Sequence, residues 1–295
     1  MLSGVPQGTV LGPLLFIIYI NDLPSLVNSQ IRLFADDALI YRKINSINDT
    51  NQLQHDLEKL IEWELDWSME FNPDKCKVLR ITNKRKIIAN NYIMHGQILE
   101  LVDSAKYLGV FFHKKLSWNT HINYTAKKAN QVRSFVQRNL RTCHQDIKLQ
   151  SYKTYVRPIL EYGSMAWDPY TASNIAKLEM VQRKAARFIS NDWRYTSSPT
   201  TMLHNLNIQT LRQRRMETKV KYMHKILHGH RETLSSLVTR ARTANLRLIP
   251  IHARVLTYEH SYVPSTISLW NKLPVHIVNE IDFDKFSLNI SNYEF

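Results

Sequence analysis

Apolar and polar residues follow two different patterns within the first 50 residues. An apolar run, "VLGPLLFIIYI", fills residues 10–20 behind a stretch rich in Gly and Pro, so a tight loop leading into a buried helix is predicted. The segment "IRLFADDALIYRKI" (31–44) is rich in Ile, Leu, Phe and Tyr on both sides of Ala35–Asp37. It predicts two short strands joined by a turn at Ala35–Asp37.

The spacing of apolar residues becomes helical after Asp49. With Gln, His, Asp, Glu and Lys between them, apolar side chains recur at Leu53, Leu57, Leu60, Ile61 and Leu65. The sequence Asn72-Pro73-Asp74 is predicted to end this helix. Strands are predicted over residues 76–81 and 105–112, and a hairpin over 92–102 has Gly96 in its turn. Residues 1–113 therefore predict an α+β domain.

The rest of the chain predicts mainly helices. Residues 116–140 place apolar side chains on one helical stripe at Ile122, Ala126, Ala129, Val132, Val136 and Leu140. Further helical runs cover roughly 145–160, 173–190 and 208–229, and prolines break the last 65 residues into short pieces. The predicted fold class is α+β, with domains over residues 1–113, 114–200 and 201–295.

Composition indicates a globular, intracellular protein. Hydrophobic residues make up 44% and charged residues 22% of the 295-residue chain, which argues against wholesale disorder. The longest apolar run is too short for a membrane span and is interrupted by Gly12-Pro13, so no membrane partner is predicted. Two cysteines are too few for a disulfide framework, so a reducing compartment, cytoplasm or nucleus, is expected.

Positive charge is concentrated in the second part of the chain. Residues 1–113 carry 11 Lys/Arg and 13 Asp/Glu, whereas residues 114–295 carry 28 Lys/Arg and 12 Asp/Glu. This asymmetry favours a polyanionic partner for the C-terminal part. A well-solvated helical surface is the alternative interpretation.

Eight segments, taken in order, resemble a known family. "SGVPQGTVLGPLLFIIYINDLP" resembles motif B, "FADD" motif C, "WELDWSMEFNPDKCKVLRI" motif D and "KYLGV" motif E of reverse transcriptases. The likeness, which is to non-LTR (LINE-type) retrotransposons, continues through "LSWNTHI", "YVRPILEYGSMAWDPY", "LEMVQRKAARF" and "LWNKLP". The resemblance implies part of a polymerase palm, with antiparallel strands and helices, followed by a helical thumb-like region and a helical or irregular C-terminal region.

The resemblance implies that Asp36 and Asp37 are catalytic metal ligands. Nucleotidyl transfer uses two Mg²⁺ ions about 3.5–4 Å apart, and Mg²⁺ prefers carboxylate oxygens. Asp36 is the expected principal ligand and Asp37 a supporting one. The alternative is that Asp-Asp is simply a hairpin turn, since Asp favours turns.

Further site residues follow from the same resemblance. Pro6, Gln7 and Gly8 correspond to the floor beneath the incoming nucleotide and the template base, and Phe34 to the aromatic beside the substrate sugar. Lys75 matches the lysine that contacts or protonates the leaving pyrophosphate, and Tyr107, Leu108 and Gly109 form the expected primer grip. A solvated surface lysine and a core phenylalanine are the open alternatives for Lys75 and Phe34.

Basic residues on the predicted helix after residue 117 are expected to contact nucleic-acid phosphates. They are Lys127, Lys128, Arg133, Arg138 and Arg141. The expected partners are an RNA template, a DNA primer or target, and deoxynucleoside triphosphates. A non-catalytic nucleic-acid-binding remnant, or an inert product, is the alternative to a polymerase fragment.

Two other patterns are interpreted as structural. The histidines in "HKILHGH", His224, His228 and His230, lack an accompanying Glu or Cys and are expected to be surface residues. The six tryptophans, among them Trp63, Trp67 and Trp270, are expected to be core and packing residues rather than platforms for base stacking.

Primer extension is the first prediction. The family has a motif A upstream of motif B, with a further metal-binding aspartate, and residues 1–2 are all that precede "SGVPQG" here. We expect the 295-residue chain alone not to incorporate labelled nucleotide on a primed template with Mg²⁺ or Mn²⁺. Incorporation that disappears in Asp36→Ala would contradict this expectation, while incorporation unaffected by that substitution would indicate a contaminating polymerase.

Overall fold

The computed structural model describes residues 8–228, 246–293 and 295, and the chain divides into two compact units between Leu116 and Ser117. The division into domains at residues 113 and 200 stays a prediction. Helices and short sheets are both present, so the mixed α+β class is confirmed. In the N-terminal unit the helices are α1 (Leu11–Tyr19), α2 (Leu23–Leu26) and α3 (Ile47–Trp67). Its strands are β1 (Gln30–Phe34), β2 (Asp37–Tyr41), β3 (Lys77–Leu79), β4 (Ile93–Met94), β5 (Gln97–Ile98), β6 (Glu100–Val102), β7 (Ser104–Tyr107) and β8 (Val110–His113).

The hairpin predicted over residues 31–44 is confirmed. Strands β1 and β2 pair antiparallel from Gln30 opposite Tyr41 to Phe34 opposite Asp37. Only Ala35 and Asp36 lie between the strands, which makes this a two-residue connection of the kind that joins antiparallel strands most tightly.

Helix α1 forms where it was predicted, but it is not the buried helix that was expected. Leu11, Leu14, Ile17 and Ile18 are all more than half exposed. The helix is apolar on every face, so one face can pack against the core through residues such as Phe16 while the others stay uncovered by the described residues.

Helix α3 begins with a capping box and ends earlier than predicted. Ser46 and Asp49 exchange hydrogen bonds at its start. Ser68 then adopts a left-handed conformation with φ of 52° and ends the helix after Trp67, several residues before the predicted stop at Asn72-Pro73. The amide of Met69 closes this end by donating to the carbonyl of Glu64 at 3.2 Å.

The remaining strands of the N-terminal unit form three small pairs. β3 pairs parallel with β6, which confirms a strand near residues 76–81. β4 and β5 form the predicted hairpin around His95 and Gly96, both of which have positive φ. The single strand predicted over 105–112 was wrong: Leu108 (φ 44°) and Gly109 (φ 81°) turn the chain, and β7 and β8 pair antiparallel. The Leu-Gly pair therefore acts as a turn inside an apolar segment.

A buried carboxylate joins α3 to the start of β1. Asp56 is fully buried and accepts hydrogen bonds from the amides of Asn28 at 3.0 Å and Ser29 at 2.8 Å, and from the Gln52 side chain at 3.0 Å. Burial by itself would raise the pKa of Asp56, but the hydrogen bonds from Ser29, Asn28 and Gln52 outweigh it, so the pKa lies below its ordinary value. Asp56 therefore positions the chain that enters the hairpin.

The described part of the C-terminal unit is helical, as predicted. Its elements are α4 (Asn119–Asn139), α5 (Gln145–Ser151), a π-helical segment (Tyr152–Val156), α6 (Arg157–Glu161), α7 (Ser164–Trp167), α8 (Ala172–Ser190), α9 (Pro199–Asn205), α10 (Leu211–Leu227), α11 (Leu256–Glu259), α12 (Tyr262–Lys272), α13 (Val275–Val278) and α14 (Phe283–Ser291). On α4 the predicted stripe holds in part: Ile122, Ala129 and Val136 are buried.

Polar groups as well as apolar ones fill the core of this unit. Gln182, fully buried on α8, accepts from the Tyr152 hydroxyl at 2.5 Å and donates to the Gln209 carbonyl at 3.0 Å. Asp168 accepts from the buried Arg215 at 2.7 Å and lies 2.6 Å from the Lys219 ammonium. Gln182 and Asp168 thus each tie together separate parts of the chain.

Two expectations about aromatic and histidine residues need correction. His224 is fully buried, 2.8 Å from the Glu280 carbonyl and stacked on Phe286, so it is a core residue rather than a surface one. His230 lies outside the described residues. Trp63 and Trp270 are buried as expected, but Trp67, at the end of α3, is 41% exposed and Trp193 is 52% exposed, so the expectation of core tryptophans was wrong for these two.

Asp56→Ala is expected to lower the free energy of unfolding by about 2–4 kcal/mol, because the buried Ser29 amide and the neighbouring Asn28 amide lose a charged acceptor. The folded chain holds the pKa of this carboxyl below its value in the unfolded chain. The contribution is therefore complete above about pH 4 and is lost as the pH falls through the lower folded pKa. Urea unfolding followed by tryptophan fluorescence at pH 7 and pH 3 measures both effects.

The control is Asp66→Ala, an exposed position on the same helix. An equal loss in the two variants at pH 7, or a deficit of Asp56→Ala that widens in acid, would contradict the role assigned to Asp56.

Candidate active site and nucleic-acid interface

The Asp36-Asp37 pair lies at the tip of the β1–β2 hairpin. Asp36 is the second residue of the turn and Asp37 is the first residue of β2, opposite Phe34. Ala35 begins the turn with φ of 49°, a left-handed conformation that alanine seldom adopts. Both carboxylates are exposed, so the turn presents two adjacent acceptors to solvent.

The exposure of Phe34 and the backbone conformation of Gly8 bear on the roles predicted for these two residues. Phe34 is 63% exposed, so the alternative of a core phenylalanine was wrong. Gly8 has φ of 82° and nothing within 4 Å of an added Cβ, so its conformation rather than crowding favours glycine. Pro6 and Gln7 lie outside the described residues.

Of the predicted primer-grip residues, Tyr107 interacts electrostatically with Asp37. Burial raises the pKa of Tyr107, the charge of Asp37 raises it further, and Arg32 partly opposes the two. Leu108 and Gly109 form the turn next to Tyr107. The structure therefore brings one predicted grip residue close to the hairpin that carries the two carboxylates.

Lys75 is not brought to the pair by any described contact. It is exposed and lies in a turn between α3 and β3, where its amide donates to the Asn72 carbonyl at 3.1 Å. Among the described residues Lys75 makes no ion pair. Both interpretations of Lys75, the catalytic and the solvated one, stay open.

Asp36 and Asp37 are two exposed carboxylates, and no third ligand group joins them among the described residues. Within residues 8–228, 246–293 and 295, no three His, Cys, Asp or Glu side chains are grouped closely enough to hold a metal ion. Exposed, adjacent carboxylates on a short turn nevertheless fit Mg²⁺, which keeps several waters and needs only one or two protein carboxylates.

The five basic residues predicted to contact phosphates differ in how accessible their side chains are to solvent. Lys127, Lys128 and Arg138 are exposed on α4, and Arg141 is exposed just beyond its end. Arg133 is half-buried and donates to Asn130, Ser134 and, at 2.7 Å, to Gln137, and burial lowers its pKa. Four of the five side chains are thus accessible to a polyanion.

Asp56 is the residue that sequence reasoning missed. It lies one turn from Leu53 and from Leu60 on the apolar stripe of α3, where a carboxylate is unexpected. A charged residue on a buried stripe was the available signal, because such a charge must be paired.

In the parts of the chain that the structure describes, no helix is long and apolar enough to cross a membrane.

Comparisons with known proteins agree with the motif pattern. Residues 2–112 match the family described as reverse transcriptase (RNA-dependent DNA polymerase). The chain is 30% identical over 250 residues to "Probable RNA-directed DNA polymerase from transposon X-element" of Drosophila melanogaster, covering 81% of this chain and 27% of that protein. It is 28% identical over 247 residues to the corresponding "transposon BS" protein, covering 78% and 27%. It is 26% identical over 257 residues to "RNA-directed DNA polymerase from mobile element jockey", covering 82% and 28%; both proteins are also from Drosophila melanogaster.

The chain thus spans about a quarter of the length of these relatives, at 27–28%. No solved structure matches it. These similarities support a reverse transcriptase fragment related to transposon polymerases.

Proposed function

We propose that this chain is the part of a non-LTR retrotransposon RNA-directed DNA polymerase that carries two catalytic carboxylates and a nucleic-acid-binding helical region. The main observation in support of this proposal is the exposed Asp36-Asp37 pair at a two-residue hairpin turn, inside the region that matches reverse transcriptases. A turn this short holds both carboxylates at one end of a paired strand, where they can act on one substrate.

Asp36 and Asp37 would hold Mg²⁺, which when bound stabilises charge on the attacking and leaving oxygens of nucleotidyl transfer. In this proposal the other residues orient the substrates. Phe34 contacts the sugar of the incoming nucleotide, and Tyr107 with its neighbouring turn holds the primer end. Lys75 donates a proton to the leaving pyrophosphate. The substrates are a DNA primer, an RNA template and deoxynucleoside triphosphates, in the cytoplasm or nucleus.

Binding of nucleic acid without catalysis is the second candidate function. The exposed positions of Lys127, Lys128, Arg138 and Arg141 favour it, together with the excess of basic residues in the C-terminal unit. On a helix, residues 11 apart lie within about 20° of each other, so Lys127 and Arg138 share a face. Such a face holds phosphates and carries little base information.

Cleavage of the chain by bound iron tests the metal role without requiring activity. Fe²⁺ takes oxygen ligands and binds sites of this type more tightly than Mg²⁺, and with ascorbate and peroxide it cuts nearby backbone. We expect cleavage at residues 34–38 that Mg²⁺ suppresses and that Asp36→Asn with Asp37→Asn abolishes, measured by mass spectrometry of the fragments.

Asp66→Asn, which removes an exposed carboxylate from α3, serves as the control and should leave the cleavage pattern unchanged. Cleavage spread evenly over exposed acidic residues, or unaltered in the double variant, would refute a metal site at the hairpin.

The salt dependence of binding tests the basic helix. Changing Lys127, Arg138 and Arg141 together to Gln should flatten the slope of log K against log salt by about two to three units, at roughly 0.9 per phosphate contact. Fluorescence anisotropy of a labelled RNA–DNA duplex over a range of KCl concentrations gives the slope.

A control with the same loss of charge changes Arg254, Lys272 and Lys285, all exposed in the same unit, to Gln. If both triple variants flatten the slope equally, the effect is one of net charge and α4 has no special role.

A further inference from the structure

The connection between α8 and α9 exposes two aromatic rings. In residues 191–198, Trp193 is 52% exposed and Tyr195 is 101% exposed. Large rings left in water on one short loop forgo the apolar burial that packing would provide, about 25 cal/mol for each Å². A surface that keeps such rings accessible is typical of a binding site.

The loop is held in place by one carboxylate. Asp192 accepts from the Arg194 amide at 3.0 Å, from the Arg194 guanidinium at 2.8 and 3.1 Å, and from the Ser197 hydroxyl at 2.6 Å. The hydrogen bonds from Arg194 and then Ser197 hold the pKa of Asp192 well below its usual range. Trp193 therefore lies between Asp192 and Arg194, whose side chains are hydrogen-bonded to each other, and Tyr195 directly follows Arg194.

A second set of bonds ties the loop to the end of α8. The Arg187 guanidinium donates to the Arg194 carbonyl at 2.9 Å and to the Ser197 carbonyl at 3.0 Å. Asn191 ends α8 in a left-handed conformation with φ of 50°. Both ends of the loop are thus fixed, so binding a ligand to the rings requires little additional ordering.

The charge around the rings favours an anionic ligand. Residues 171–205 contain five Lys/Arg and two Asp/Glu. Of the two acidic residues, Glu179 is buried and Asp192 is already paired with Arg194. Arg183, exposed one turn before Arg187 on the same face of α8, remains available to a phosphate.

We propose that Trp193 and Tyr195 form a stacking platform for the bases of single-stranded nucleic acid, an inference that rests on the nucleic-acid binding proposed above for the C-terminal unit. Aromatic rings interleaved with cations are how proteins hold single strands, since every base has a flat face and every nucleotide a charge. In a duplex the bases stack on one another and offer no free face to a loop.

The same rings would also suit a protein surface, where tryptophan, tyrosine and arginine are enriched. The surrounding excess of basic residues and the paired state of Asp192 favour the single strand. Binding to single strands with and without bases separates the two.

The test is a cycle in which rings and bases are removed separately. The full chain, wild type or with Trp193→Ala and Tyr195→Ala together, is titrated against a labelled 20-nucleotide dT strand, against the same strand made abasic, and against a 20-base-pair duplex. We expect the double variant to bind the dT strand at least about fivefold more weakly for each ring lost. It should bind the abasic strand and the duplex within about twofold of the wild type, because those ligands offer no free base.

The control variant, Tyr155→Ala with Tyr258→Ala, removes two other exposed rings from the same unit and should leave all three affinities unchanged. Asp192→Ala keeps both rings but frees the loop, and should weaken dT binding by less than the double variant does. Circular dichroism checks that each variant is folded.

The outcomes separate this inference from the function on which it rests. Salt-dependent binding of the dT strand that the ring variant leaves unchanged overturns the stacking platform alone, and it leaves the rings as a contact for a protein. Failure of the wild-type chain to bind any of the three ligands overturns the nucleic-acid binding of the C-terminal unit, and the platform with it.

Discussion

The burial of one charged side chain organises the N-terminal unit. A carboxylate that is removed from water needs hydrogen-bond donors in fixed positions. Asp56 accepts hydrogen bonds from two backbone amides just before β1. Helix α3 therefore determines where β1 begins, and the antiparallel register with β2 then determines which residues reach the tip. With this register Asp36 and Asp37 lie at the exposed tip of the hairpin.

Local sequence patterns predicted most helices and strands well. They failed where packing against distant parts of the chain determines whether a residue is buried. The β1–β2 hairpin and α3 follow from spacing and turn residues, and the motifs supplied the candidate residues. Periodicity could not show that α1 lacks a partner on most of its surface, or that His224 is buried against Phe286. The turn at Leu108 was missed because leucine rarely adopts positive φ, so the apolar run around it resembled a continuous strand.

The two units differ in formal charge, and the difference agrees with the proposed function. Residues 1–116, the N-terminal unit, carry 13 Lys/Arg and 13 Asp/Glu, and this unit presents a pair of carboxylates that a divalent cation can neutralise. The C-terminal unit is strongly basic, and in its core Asp168 pairs with the buried Arg215 and Lys219. Its exposed basic residues remain available to a polyanion, as the proposed nucleic-acid binding requires.

The left-handed backbone at Ala35 has a consequence at the level of the gene. Every alanine codon is one base change from codons for glycine, valine, threonine and proline. Glycine would relax the turn, whereas the β-branched residues are strained at φ of 49° and proline cannot adopt it. In copies of a mobile element that accumulate substitutions without selection, a single base change at codon 35 can therefore distort the hairpin tip while both aspartate codons remain intact.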